Sequence, residues 1–325
     1  MIIPLYNGAG TIEPCLKSVF ASDHDNFEVI VADNGSADAG ARLAEAFPCR
    51  VIKLGANLGA ACARNKGAQN ARGSLLAFID SDIIIQKDTL TRLQSATAPG
   101  GADAAGGIYA PEPAAGGLVT AYKNLYCHYV ASVSSPSANY FSTSCGAVKR
   151  AVFEELGGFD GKFKEAGGED IEFGYRLTAK SYKITRDTAI QVAHQKTYTL
   201  TGLLKNDFKR AKLWIWLLLE EKFLRKRSFF KNEADVSNKA ALSVALVWVA
   251  VTTAALAPFS ILYGQMSLAS FALFFAVNLG LLRLFYRAKG AGFAVLAGLL
   301  YFMALFSASL GAVAGLAGYL AGKKL

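Results

Sequence analysis

Two long stretches of the chain carry no charge at all: one lies between Lys239 and Arg283, the other between Lys289 and Lys323. A bilayer asks for this pattern, at about 20 apolar residues per crossing helix. The first stretch has room for two spans, with Gly264 and Gln265 of "LYGQMS" as the turn between them. The second holds one long span. The sequence thus predicts three transmembrane helices, at about 241–262, 267–286 and 292–320, following a globular domain. They account for a mean hydropathy of +0.29, high for a chain with a soluble domain of this size.

Charge is distributed in the same way. Residues 1–202 hold 19 basic and 20 acidic side chains, so the net +9 arises elsewhere. Residues 203–231 carry nine basic and three acidic groups, and 240–325 carry five basic and none acidic. A basic pI of this origin is no argument for a nucleic-acid partner; it points to a membrane surface. "KNDFKRAKLWIWLLLEEKFLRKRSFFK" sets Trp214, Trp216 and several leucines beside Lys and Arg, as an interfacial amphipathic helix does. A surface helix of the soluble domain is the plainer alternative. The chain divides into 1–202, a basic juxtamembrane segment 203–239, and a membrane region 240–325. Lys222, Arg225, Lys226 and Arg227, together with Arg283, Arg287 and Lys289, fall on one side of the bilayer if the globular domain is cytoplasmic. Lys323 and Lys324 then lie outside, against the rule. The expectation is a multi-pass protein of the cell (inner) membrane. The five cysteines form no CxxC and no regular framework, as in a reducing compartment. No cleavable signal peptide is visible.

Within 1–202, apolar runs alternate with helical patterns. "MIIPLYN" reads as a short strand stopping at Pro4, and "NFEVIVADNGS" as a second ending at Asp33 with a turn at Asn34-Gly35. "CRVIKLG" is a third. "LGAACARNKGAQNARG" has small residues at helical spacing, and "SLLAFID" is a fourth strand. Helices between strands predict a mainly parallel sheet, whose ligands bind outside the carboxyl ends of the strands. Asp33 and Asp80 both stand at such ends. Asp80-Ser81-Asp82 offers hard oxygen ligands for Mg²⁺ or Mn²⁺, although Asp-Ser-Asp also caps helices.

The order and spacing of "IIPLYN", "VIVADNGSAD", "NLGAACARNKGAQNARGSLLAFIDSDI", "CGAVKRAVFEELGGFD" and "GGEDIEFGYRL" resemble the family 2 glycosyltransferases over about residues 1–200. The resemblance implies a glycosyltransferase-A fold, followed here by an all-α transmembrane region. It implies transfer from a nucleotide-diphosphate sugar with inversion at the anomeric carbon. By the same resemblance, Pro4 and Tyr6 belong to the loop that packs on the nucleotide. Asp33 hydrogen-bonds the base, which favours uracil or guanine over adenine; its plainer role is an Asx-turn. Arg64, in "RN", pairs with phosphate. Asp80 lies near the ribose and Asp82 on the metal, with His194 of "VAHQKTYTL" as a further ligand. Asp170 is the general base and Glu169 orients the acceptor, although acids also suit the start of a helix. Ser144, Cys145 and Gly146 line the acceptor-side floor. The QxxRW signature of processive synthases is absent, so one sugar per encounter is expected. The acceptor expected is a lipid or lipid-linked glycan. A polyprenyl-phosphate sugar synthase is the alternative enzyme. An inert assembly subunit, packing through Gly311, Gly315, Gly318 and Gly322, is the alternative of another class.

Overall fold

The computed structural model describes residues 1–137, 140–163, 167–219 and 234–322. They form two compact units, one of residues 1–115 and 135–196, the other of 116–134 and 197–325. The linear boundary expected at 202 is therefore crossed early: residues 116–134 leave the first unit and belong to the second.

The first unit is built on eight strands: β1 (Ile2–Leu5), β2 (Ile30–Asp33), β3 (Arg50–Lys53), β4 (Leu75–Ile79), β5 (Ile83–Ile84), β6 (Ala104–Tyr109), β7 (Cys145–Lys149) and β8 (Ile184–His194). Their order in the sheet is β3-β2-β1-β4-β7-β6-β8-β5. The pairings among β1 to β4, and that of β6 with β8, are parallel; β7 runs against β4 and β6, and β5 against β8.

β1 does not stop at Pro4. The carbonyls of Met1 and Leu5 accept from Ile30 and Asn34, so the odd residues of β1 bond toward β2 and Pro4 faces β4. There the ladder is reduced to Ile2–Phe78, and a residue without an N–H forfeits nothing.

Alternation along the strands makes two cores. Ile3, Leu5, Ala77, Ile79 and Ala147 pack on one face with Ile12, Leu16 and Val19 of α1 (Ile12–Phe20) and Leu90 and Leu93 of α4 (Thr89–Ala96). α2 (Gly40–Ala44) joins them through Ala41 and Ala44. Ile2, Leu76, Phe78 and Val148 face the other way. They meet α3 (Ala60–Asn70), α6 (Arg150–Glu155) and α7 (Glu169–Ala179) through Ala61, Phe153 and Phe173. Phe78 is the hub there, with its ring 5.1 Å from Phe159 and 5.5 Å from Phe153. This is a three-layer α/β fold with strand ends opening on one edge.

The second unit is helical: α5 (Leu118–Val133), α8 (Leu200–Leu219), α9 (Ala234–Leu256), α10 (Ile261–Val277) and α11 (Leu279–Leu320), the last broken at Gly290, where φ is +82°. The turn between the first two apolar helices falls at Ala257–Phe259 rather than at Gly264-Gln265, which lie inside α10. Pro258 cannot continue α9, and the Ser260 hydroxyl accepts from the Leu262 N–H to start the next helix. Asn238–Phe259 and Leu279–Leu320 are long and apolar enough to cross a membrane; α10, at 17 residues, is shorter. The expected spans 267–286 and 292–320 are thus redistributed, with 279–289 forming the first limb of α11.

α8 and the end of α11 run side by side in constant register. Ser307 donates to the Leu204 carbonyl, Gly311 lies on Phe208, Gly315 on Lys212, and the Tyr319 ring sits edge-on to Trp216. Each pair differs by about 103 positions and advances by four, the stride of a helix face. Two of the four glycines noted in the sequence are therefore occupied within the chain itself. The basic cluster Lys222–Arg227 and Lys323–Lys324 lie outside the described residues.

Candidate active site

The carboxyl ends of β1, β2 and β4 bring together the residues that the motifs single out. Tyr6 follows β1 and is half exposed. Asp33 closes β2, almost fully buried, and its Oδ1 accepts from the Ser36 N–H at 3.1 Å. The carboxylate thus closes the turn three residues on, one residue longer than the expected Asx-turn. Gly35 within it has φ +77°, and a Cβ there would lie 2.6 Å from the Ala56 backbone, so the turn admits only glycine. Asn34, expected as a turn residue, also binds the next loop: its Nδ2 donates to Asn57 and its Oδ1 accepts from Leu58 N–H.

Arg64 is the centre of the site. It is 3 % exposed and forks between two carboxylates, donating through Nη2 to Asp80 Oδ1 at 2.6 Å and through Nη1 to Glu169 Oε1 at 2.7 Å. Burial opposes its charge, but Asp80 and Glu169 more than offset this and raise its pKa. The phosphate pairing expected for Arg64 is not what this geometry provides, because both ends of its fork are already taken. Removing one partner of such a buried pair costs about 3–5 kcal/mol.

Glu169 is also not free to face an acceptor. It is 1 % exposed, and its Oε2 accepts from the N–H groups of Gly167 and Gly168 while Oε1 holds Arg64. It fixes the entry to α7 instead. Asp170, the next residue, is partly exposed, with Oδ1 on its own helix start at Ile171 N–H. Behind it, Asn65 clamps Phe159 by two hydrogen bonds, and Arg176 donates to Leu156 and Gly158 carbonyls while pairing with Glu172. The "LGGF" turn is thereby held between α3 and α7.

Asp82 points the other way, its Oδ2 3.1 Å from His194 Nε2. The closeness follows from strand pairing, since Ile83 of β5 is opposite His194 at the end of β8. The Tyr109 ring stacks on the imidazole at 4.7 Å and 8°. Burial pushes the Asp82 carboxyl up, but the hydrogen bond and charge of His194, with Lys196 beyond, leave it below its ordinary value. Asp80 is shifted the opposite way: burial, with repulsion from Asp82 and Glu169, outweighs Arg64 and raises it. The expected trio of Asp80, Asp82 and His194 thus appears as a pair, Asp82–His194, with Asp80 turned to Arg64. No cluster of three His, Cys, Asp or Glu side chains stands ready for an ion among the described residues.

Cys145 and Gly146 do not line an open floor. They sit within the sheet, paired with Ile79 and Phe78, and burial lifts the Cys145 thiol to about 12. Ser144 remains partly exposed beside Asp80, whose N–H donates to its carbonyl.

A sheet of this order, with acids at its strand ends and a second acidic pair opening a helix, is an α/β scaffold with a candidate site at its strand ends. Residues 1–157 match the model of the glycosyl transferase family 2, and residues 125–199 match that described as the N-terminal domain of galactosyltransferase. Residues 1–157 are thus a glycosyltransferase family 2 domain, and the chain is a glycosyltransferase. It is 27 % identical over 227 residues to glycosyltransferase AglE of Haloferax volcanii, covering 67 % of this chain and 74 % of that protein. It is 39 % identical over 97 residues to the uncharacterized glycosyltransferase YfnE of Bacillus subtilis, covering 28 % of this chain and only 25 % of that protein. In structure it resembles a mannosyltransferase of Pyrobaculum calidifontis solved with GDP-mannose and Mn²⁺. There the TM-score is 0.60 and the identity 20 %, over 99 % of this chain and 87 % of that one. This likeness establishes the glycosyltransferase-A fold.

Proposed function

We propose that the chain is a membrane-anchored, inverting enzyme. It moves one sugar from a nucleotide-diphosphate sugar, UDP-linked in the first instance, to a hydroxyl of a lipid or lipid-linked glycan. The observation that carries this reading is the separation of two acidic sets across Arg64. Asp80 and Asp82 lie on the strand-end side, and Asp170 lies at the start of α7.

In this reading Tyr6 and Asp33 hold the nucleoside. Asp82 and His194 fit a divalent cation. Their oxygen and nitrogen are 3.1 Å apart, close to the roughly 3 Å between neighbouring donors of a six-coordinate ion with ligand distances of about 2.1 Å. Two protein donors suffice where phosphates and water complete the shell. An imidazole donor suits Mn²⁺ better than Mg²⁺. When bound, such an ion neutralises charge on the departing diphosphate. Asp170 takes the proton of the acceptor hydroxyl as its oxygen attacks the anomeric carbon, and the bond to the diphosphate breaks on the opposite face. One base and no covalent nucleophile are needed.

Membrane anchoring is supported by α9 and α11, which are long and apolar enough to cross a bilayer, and by exposed Phe259, Ile261 and Leu262 at the turn joining α9 and α10. A catalytic unit attached to such helices suits an acceptor held in the bilayer.

The test is Asp170→Asn, which keeps shape but cannot take a proton at neutral pH. With the nucleotide sugar that most raises the melting temperature in the presence of Mn²⁺, release of nucleoside diphosphate should fall by roughly 10²–10⁴-fold. Binding of that nucleotide sugar should be unchanged. Full turnover in the variant would favour a phosphate acceptor, which needs no base.

A further inference from the structure

We infer that Arg64 is a positioning residue that sets Asp170 relative to the donor-side carboxylates, so that its contribution to turnover passes through Asp170 rather than through donor binding. The inference rests on Asp170 being the base.

Three observations lead to it. Arg64 touches both acidic sets, Asp80 at 2.6 Å and Glu169 at 2.7 Å, from a position 3 % exposed. Glu169 passes the constraint on, since its second oxygen gathers the N–H groups of Gly167 and Gly168 and so fixes the backbone immediately before Asp170. Gly167 has φ +112°, a conformation only glycine adopts readily, and so this approach to the helix takes its shape from that carboxylate rather than from side-chain packing. The guanidinium itself is steadied by the Phe159 ring 6.0 Å away, in the turn that Asn65 and Arg176 clamp.

The fork is what matters. A guanidinium spans two carboxylates in fixed geometry, whereas an ammonium is a point charge on a flexible stem and satisfies one at a time. Errors of about 1 Å in a catalytic group cost on the order of 10²-fold in rate. Of the donor-side residues Arg64 holds Asp80 alone; Asp33, Asp82 and His194, which carry the nucleoside and the ion in this reading, take none of its described hydrogen bonds.

The experiment is a double-mutant cycle on the full chain in detergent, with Arg64→Lys, Asp170→Asn and the pair. Affinity for UDP and for GDP with Mn²⁺ is read by calorimetry. Turnover is read as nucleoside diphosphate released from the nucleotide sugar with water as acceptor. Arg64→Lys should lower turnover by about 10- to 100-fold while nucleotide affinity stays within about threefold. Added to Asp170→Asn it should cost nothing further, because residues acting through one another are not additive. Additive losses, a parallel fall in nucleotide affinity, or unchanged turnover in Arg64→Lys would each overturn the inference. Unchanged turnover in Asp170→Asn alone would overturn the base assignment, and the inference with it. If Arg64→Lys does not fold, Glu169→Gln takes its place in the cycle with the same expected pattern, because it removes the charge Arg64 holds and leaves Asp80 in place.

Discussion

Gly311 tests the close pairing of α8 with the end of α11. A Cβ built on Gly311 would lie 2.1 Å from the Phe208 carbonyl oxygen, and one on Gly315 would lie 2.5 Å from that of Lys212. Both obstacles are backbone, so no side chain can swing aside. An ordinary contact needs about 3.4 Å or more, and Gly311→Ala must therefore push the helices apart by over 1 Å at that level. Overpacking of this kind costs about 1–3 kcal/mol, against which the better helix propensity of Ala returns up to about 1 kcal/mol. With the full propensity gain the net cost is about 0–2 kcal/mol, and at about 2–4 °C per kcal/mol the melting temperature in mild detergent should fall by up to roughly 8 °C. Gly318→Ala is the control: nothing lies within 4 Å of its Cβ, and it gains the same propensity without the clash. The two effects should have opposite signs. If Gly311→Ala melts no lower than Gly318→Ala, the two helices are not in this register and the stride of four is accidental.

Asp82→Ala should abolish Mn²⁺-dependent binding of UDP or GDP in calorimetry while leaving the melting temperature of the ligand-free chain nearly unchanged. Retained metal-dependent affinity would leave Asp82 as a structural partner of His194 alone. The thiols of Cys15 and Cys145 are each pushed up to about 12 by burial, from an ordinary value of 9. The folded state therefore keeps its protons longer than the unfolded chain. Stability should be flat below pH 9 and decline above it toward pH 12, by up to about 1.4 kcal/mol per pH unit for each thiol. Cys145→Ala should flatten part of that decline in urea titrations at pH 8 and 10. For topology, reporter fusions after residue 219 and after residue 322 should report opposite sides of the membrane if three segments cross; matching sides would mean an even number of crossings.

The acids at the strand ends were legible because strand ends are. Apolar runs broken by Asp-Asn-Gly and Asp-Ser-Asp locate Asp33, Asp80 and Asp82 at carboxyl ends from local chemistry alone, and the sheet then converges them. His194 was suggested by resemblance, and its closeness to Asp82 depends on the pairing of β5 with β8, which joins residues 112 apart in the chain. Arg64 and Glu169 show the limit. Each suggests a ligand contact when read singly, an Arg for phosphate and an acid for an acceptor. Their mutual pairing across 105 positions cancels both readings, and no local pattern records it. The turn at Ala257–Phe259 was legible in Pro258, which forbids a continuing helix, and Gly264 misled because an apolar helix tolerates glycine when its neighbours pack. α5 gave no signal of its destination: its apolar face is as suited to one unit as to the other.

The early departure of residues 116–134 has a consequence for how the chain is made. α5 buries Tyr122 and Leu125 in the cluster that contains Leu203, Phe285 and Tyr301. On the ribosome α5 emerges about 160 residues before Phe285. At roughly 5–20 residues per second its apolar face waits some 8–30 seconds for that part of its cover. During that interval β7 and β8, which complete the sheet around the site, are synthesised on the far side of an exposed hydrophobic helix. The same threading means that stopping the chain after its last strand does not release a clean catalytic fragment. Such a fragment keeps α5 and loses what covers it, so a soluble version requires rewriting α5 as well as removing the apolar helices.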